Sequence, residues 1–194
     1  MPDSSLFAEL AQVVTEALAS GKSVEVEGLG VFYPDPVSGV RFEDCRSPSV
    51  FLAYAKEDLA VALRLHDALR EAGFRPWIDV RVLLPGQNWP RAIEMAIQNA
   101  DFFVACFSQR AVVKRGGFQA EIRYALDCAH SLPLDDIYIV PLRLDACRVP
   151  RSVARQYHYI DLFPDWQAAL RRLTGMIRAE ARRRREARFR PSAA

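Results

Sequence analysis

No apolar run in the chain approaches the roughly 18–20 residues that a membrane-spanning helix needs, so no segment is expected to enter a bilayer. The first residues lack a basic stretch followed by an apolar core, so there is no export leader to read and the expected compartment is the cytoplasm. Cysteine is sparse: Cys45, Cys106, Cys128 and Cys147 are scattered through 194 residues without a CxxC pair. Histidine is sparser, and His66, His130 and His158 lie far apart. Zinc sites draw on clustered ligands, so no metal centre is expected. Cys106 falls inside Phe102-Phe103-Val104-Ala105-Cys106-Phe107 and reads as a small hydrophobe. Also absent are a Walker loop, a Gly-rich dinucleotide fingerprint and a Ser-His-Asp set. Gly28-Leu29-Gly30 lacks the third glycine and the following helix that such a fingerprint requires.

What is present is ordinary in amount and uneven in placement. Apolar residues make up 51% and charged residues 26% of the chain, enough for one full core and a small appendage. The net charge of +2 conceals an acidic head and a basic tail. Residues 1–48 hold three basic and eight acidic side chains, and residues 49–170 hold fourteen of each. Residues 171–190 carry nine arginines against Glu180 and Glu186. An acidic head is the wrong sign for phosphate, so nucleic-acid binding there is not expected.

Leu6, Leu10, Val13, Val14 and Leu18 recur at helical spacing up to Gly21. Val24, Val26, Leu29, Val31 and Tyr33 then alternate as in a hairpin, with turn residues at 34–39 and a short strand at 40–42. From Val50 the rhythm changes. Strands are predicted at 49–54, 74–78, 101–107, 137–143 and 157–161. Helices are predicted at 57–72, 89–99, 117–130 and from 164 onward, with a short turn near 150–156. Short apolar strands between amphipathic helices predict an α/β fold with a flavodoxin-like five-stranded parallel sheet, order 2-1-3-4-5. Helices should flank this sheet, and a small α+β appendage should precede it. Trp89 opens the stripe Trp89, Ile93, Ala96, Ile97, Ala100 and is expected in the core, as is Trp77. In the last helix the stripe Trp166, Leu170, Leu173, Ile177 stops before the arginine run, which reads as a solvated or frayed end.

Ligands of such sheets bind beyond the carboxyl ends of the strands, where the winding direction switches. The loops there are Ala53–Asp58 and Ser108–Gly117, and Glu121 follows the second. Phe118, Ile122, Ala125 and Ala129 mark the buried stripe of that helix, so Glu121 falls roughly 70° from its centre, on the shoulder. A carboxylate half-sunk beside a crevice is a candidate functional group, because desolvation raises its pKa. The plainer alternative is a helix glutamate favoured by the macrodipole and paired with Arg115 or Arg123.

Three motifs in order resemble the Toll/interleukin-1 receptor (TIR) domain in its bacterial form, over roughly residues 48–177. Phe51-Leu52-Ala53-Tyr54 is similar to the first box. Asp79 through Trp89, with Leu84-Pro85-Gly86, is similar to the second box and its long mobile loop. Ser108, followed by Lys114-Arg115-Gly116-Gly117-Phe118-Gln119-Ala120-Glu121, resembles the segment that leads to the catalytic glutamate. Many members carry an aromatic four residues before that glutamate; here Gly117 holds that position and the aromatic is Phe118. The resemblance implies cleavage of the nicotinamide–ribose bond of NAD+ with Glu121 as catalytic carboxylate, NAD+ being substrate and no cofactor being needed. It implies substrate contacts from Tyr54, Ala55, Lys56, Asp79, Arg81 and Ser108. Self-association would run through Leu83, Leu84, Pro85 and Gly86. It also implies a role in bacterial immune signalling, and its non-catalytic adaptors supply the alternative function, a scaffold working by homotypic contacts. Residues 1–46 form the appendage, whose stretch 18–32 resembles the helix-to-hairpin region of HU-type DNA-bending proteins without their basic arm. Residues 178–194 form the basic tail.

Overall fold

Along residues 50–53 and 102–107 every side chain is buried, odd positions on one face and even positions on the other. Only a strand covered on both sides looks like this. The structure is a computed structural model that describes residues 4–26, 29–35, 39–44, 47–84, 86–113 and 116–188. Contacts divide the chain into two units, Met1–Ser47 and Pro48–Ala194.

The first unit pairs α1 (Ser4–Ala19) with an antiparallel sheet of β1 (Val24–Val26), β2 (Gly30–Asp35) and β3 (Gly39–Asp44) in sequence order. Gly21, at φ 77°, stops α1: the Lys22 N–H bonds to the Ala17 carbonyl and the Gly21 N–H to that of Leu18. That reversal needs a left-handed residue. Val14 and Leu18 are buried positions of α1, and Phe32 stands opposite Phe42 with ring centroids 4.7 Å apart. The third strand is longer than expected, and Pro34 and Asp35 belong to β2 rather than to a turn. The β1 ladder reaches only as far as Phe32, so Pro34 lies beyond it, at a position where a residue without an N–H is tolerated.

In the second unit β4 (Ser49–Ala53), β5 (Arg75–Trp77), β6 (Phe102–Phe107), β7 (Ile139–Arg143) and β8 (Ile160–Asp161) form one parallel sheet in the order β5-β4-β6-β7-β8. This is the α/β, flavodoxin-like order expected. On one face α4 (Trp89–Gln98) and α6 (Gly117–Ala129) cover Phe51, Ala53, Phe103, Ala105 and Phe107. On the other, α2 (Leu59–Glu71) and α8 (Trp166–Arg188) cover Val50, Leu52, Phe102, Val104 and Cys106. Trp77, Phe51 and Phe103 stack across neighbouring strands at 4.6 and 5.4 Å, so the register is held by rings as well as by the ladder. Short helices α3 (Asp79–Val82), α5 (Gln109–Val113) and α7 (Arg151–Ala154) fill the loops.

Two expectations change. Trp89 is 55% exposed, not core. It stands at the start of α4, where Asn88 caps the helix and Pro90 follows, and its indole N–H reaches the Leu84 carbonyl at 3.4 Å. Burial along this stripe begins only a turn later and is complete at Ile97. The arginine run does not fray, since α8 continues to Arg188, and only part of it is solvated: Arg182 is exposed, whereas Arg184 turns inward. Glu180, 4% exposed, receives the Ile137 N–H at 3.0 Å and is bonded by Arg183 and Arg184. Arg184 donates in turn to the carbonyls of Ile137 and Asp101 at 2.6 and 3.0 Å. Burial alone would raise the Glu180 pKa, but the bonds from Arg183, the Ile137 N–H and Arg184 outweigh it and hold it near 2. The sequence signal failed because Glu180, paired at i+3 and i+4 with Arg183 and Arg184, turns with Arg184 toward backbone groups of Ile137 and Asp101, which lie far away in the chain.

Candidate functional site

Three strand ends at the sheet's switch point build the site. β4 ends in Tyr54 and Ala55, and a 3-10 turn at Lys56–Asp58 leads into α2. β5 runs through Ile78 into α3, which starts with Asp79. β6 ends at Ser108, passes through α5 and returns as α6, whose first turns carry Gly117 and Glu121. Together Tyr54, Lys56, Asp79, Gly117, Phe118 and Glu121 line most of a cleft of about 310 Å³.

The Tyr54 hydroxyl donates to Asp79 Oδ1 at 2.7 Å, and the same oxygen accepts the Val80 N–H at 2.8 Å. Burial, the Asp79 bond and the charges of Asp79 and Glu121 all push the Tyr54 pKa up, so this phenol stays protonated. Glu121 is half-buried. Burial first, and the Asp79 charge second, raise its pKa from the ordinary 4.5 to about 8. Among the described residues no hydrogen bond or ion pair reaches its carboxylate; Arg123 points to solvent, and Arg115 lies outside them. A desolvated, unpaired carboxyl group beside a second carboxylate is held at a free-energy cost that packing does not require.

The sequence-derived residues separate into two groups. Tyr54, Ala55, Lys56, Asp79 and Glu121 meet at the cleft. Arg81 does not: it makes a two-pronged pair with Asp67 on α2, at 2.8 and 3.1 Å, and lies 3.3 Å from His66 Nδ1. One turn of α3 carries it away from Asp79, a helix the loop reading did not anticipate. Ser108 is buried rather than facing the cleft; its hydroxyl donates to Asp58 Oδ2 at 2.5 Å and accepts the Ala111 N–H that opens α5. In the second loop Leu84 is exposed and Leu83 half-buried, Gly86 turns at φ 85°, and Pro85 lies outside the described residues. Glu57, Gly116 and Gln119 also line the cleft. Their neighbourhood to Tyr54 and Glu121 was the available signal, since Glu57 and Gly116 sit in the two loops already singled out and Gln119 in the first turn of α6 beside them. Among the described residues no cluster of His, Cys, Asp and Glu could hold a metal ion, and no helix is long and apolar enough to cross a membrane.

A five-stranded parallel sheet in this order, with a carboxyl-lined cleft at the switch point, defines a flavodoxin-like α/β domain with its ligand site where such sheets place one. The TIR domain family model matches residues 50–174, and the chain belongs to that family. The uncharacterized protein y4cD of Sinorhizobium fredii is 24% identical over 175 residues, 88% of this chain. The chain spans only 27% of the length of that curated relative. Among solved structures, the TIR domain of the Toll-related receptor TRR-2 from Hydra magnipapillata is similar in fold. Its TM-score is 0.55 at 23% identity, covering 66% of this chain and 97% of that one. A prokaryotic SEFIR domain has a TM-score of 0.52 at 16% identity, covering 68% of this chain and 99% of that one. At these identities the likeness concerns the fold.

Proposed function

We propose that the chain is an NAD+ glycohydrolase that breaks the nicotinamide–ribose bond, with Glu121 as its catalytic carboxylate. The observation that carries this reading is the half-buried Glu121, raised toward neutrality and without a partner among the described residues, in a cleft shared with Tyr54 and Asp79. Nicotinamide leaves a pyridinium as a neutral base, so no general acid is needed, unlike ordinary glycosidases with their two carboxyl groups. One anion beside the ribose suffices to stabilise the developing oxocarbenium charge. The cationic ring lowers the pKa of Glu121 when it binds, so the substrate itself ionises the group it needs. Asp79 adds negative potential and is held by Tyr54. Exposed Lys56 in the lining offers a charge for the pyrophosphate, and buried Ala55 lines the cleft beside it. The products would be nicotinamide and linear or cyclic ADP-ribose, in a cytoplasmic bacterial immune pathway activated by assembly.

Purified protein incubated with NAD+ should release free nicotinamide, and Glu121→Gln, which keeps shape and removes charge, should abolish release without unfolding the chain. Full activity in that variant sinks the assignment. A second reading, a scaffold acting by homotypic contact, has its own observation: Val80, Val82, Leu84 and Trp89 expose an apolar surface around α3 and the start of α4. Within the first unit Val13, Leu29, Val40 and Phe42 are exposed as well. That unit fits a docking or dimerisation role better than the DNA contact of HU-type proteins, because residues 1–48 carry only three basic side chains.

A further inference from the structure

Position 117 is where a side chain would alter the cleft most, and it has none. Side chains on a helix lean toward its N-terminus, so residue i+4 reaches back over residue i. A Cβ at Gly117 would stand 4.0 Å from Glu121 Oε1, an ordinary van der Waals distance, and among the described residues beyond its chain neighbours and the backbone of its own helix nothing is nearer. Gly117 is not among the glycines with positive φ. Its backbone would accept any L residue, so conformation does not account for glycine here. Phe118 stands one residue, or about 100°, further round the helix and goes into the core. There it is 9% exposed and edge-on to Phe107 at 5.6 Å. Gly116 precedes, also without a side chain and with open space where a Cβ would be. Two consecutive residues of bare backbone therefore form the wall beside the carboxylate.

We propose that Gly117 sets the substrate range of this site. Its missing side chain leaves a slot over the Glu121 carboxylate that admits an N-glycoside whose leaving base is wider than a single six-membered ring. The substrate class rests on the glycohydrolase reading above, whereas the slot rests on the geometry of Gly117 and Glu121. Larger side chains at this position close the slot stepwise, and alanine is favoured over glycine in a helix, so the series starts from a variant that folds at least as well as the parent.

The test uses the full chain and the variants Gly117→Ala, Gly117→Val and Gly117→Phe. The first measurement needs no substrate: a hydrophobic carbodiimide couples to protonated, accessible carboxyl groups, and labelling of Glu121 at pH 7 is read by peptide mass spectrometry. Labelling should fall along the series and drop about tenfold in Gly117→Phe, the scale on which a filled pocket rejects a group. The second compares base release from NAD+ and from an analogue with a fused-ring quinolinium base. The parent should cleave both, and Gly117→Val should lower kcat/KM for the wide analogue about tenfold more than for NAD+. Unchanged labelling in a phenylalanine or valine variant that melts with the parent overturns the slot. Equal losses on the two substrates overturn the role in specificity. If the parent releases base from neither while labelling still falls, the slot stands and the glycohydrolase reading fails, taking the substrate range with it.

Discussion

Replacing Glu121 by glutamine removes a charge that the fold shelters poorly, and the effect on stability has a sign fixed by the structure. The carboxyl group titrates near 8 in the folded chain against an ordinary 4.5. Below pH 4.5 both states carry the proton and the substitution is neutral. Between pH 4.5 and 8 the unfolded chain releases the proton while the folded one keeps it, so the parent loses stability as pH rises. More than three pH units at about 1.4 kcal/mol each set a ceiling near 5 kcal/mol, and water in an open cleft reduces it to roughly 2–3 kcal/mol. Glu121→Gln should therefore unfold in urea at nearly the parent's midpoint at pH 4.5 and become the more stable protein by that margin at pH 9. The assay is a pair of urea titrations at each pH, with equal slopes confirming that the same surface is exposed. A difference between the two proteins that does not change with pH refutes the desolvation argument, and with it the reason for singling out this glutamate.

Three further outcomes follow from other parts of the molecule. kcat/KM for NAD+ should rise through an apparent pKa near 8, the value for the free Glu121, whereas kcat should rise at lower pH because the bound pyridinium favours the ionised form; coincident profiles would contradict this. Leu84→Asp puts a charge on a residue 68% exposed. It should leave the melting temperature unchanged while lowering both self-association by sedimentation and activity per subunit; activity independent of concentration and of this change would contradict it. Arg184→Met removes one of the arginines on buried Glu180 and should cost about 2–3 kcal/mol at pH 7. Because the Glu180 pKa is depressed from 4.5 to about 2, the charge-pair part of this stabilisation is present above pH 4.5 and lost as pH falls toward 2, so the gap between the two proteins should narrow in acid to what the carbonyl bonds of Arg184 contribute.

The sheet was legible because its strands are buried on both faces: Val50-Phe51-Leu52-Ala53 and Phe102 through Phe107 announce themselves as continuous apolar runs. Strand ends were less legible. β5 and β8 are sheet edges, and they came out at three and two residues where five were expected in each. Glu121, Tyr54 and Lys56 could be brought to one place from topology alone, since all follow strand ends at the switch point, whereas Asp79 came only from the family resemblance. Arg81 and Ser108 could not be separated from them that way. Whether a residue turns into the cleft or away depends on one helical turn, and α3 and α5 are too short to leave a periodic signal. Trp89 misled for a related reason: a stripe predicts the side of a helix, not where along the helix its neighbours begin.

The bonds that Glu180 and Arg184 make to Ile137, and Arg184 to Asp101, bear on how the chain is made. They complete backbone groups at the amino ends of β6 and β7 with side chains that lie 43 to 83 positions later. A ribosome that has delivered all five strands has still not delivered the residues that fasten two of them. The emerging domain must wait with that end of its sheet undone until the last helix clears the exit tunnel. Non-local closure of this kind is slow and leaves apolar edges uncovered while it waits.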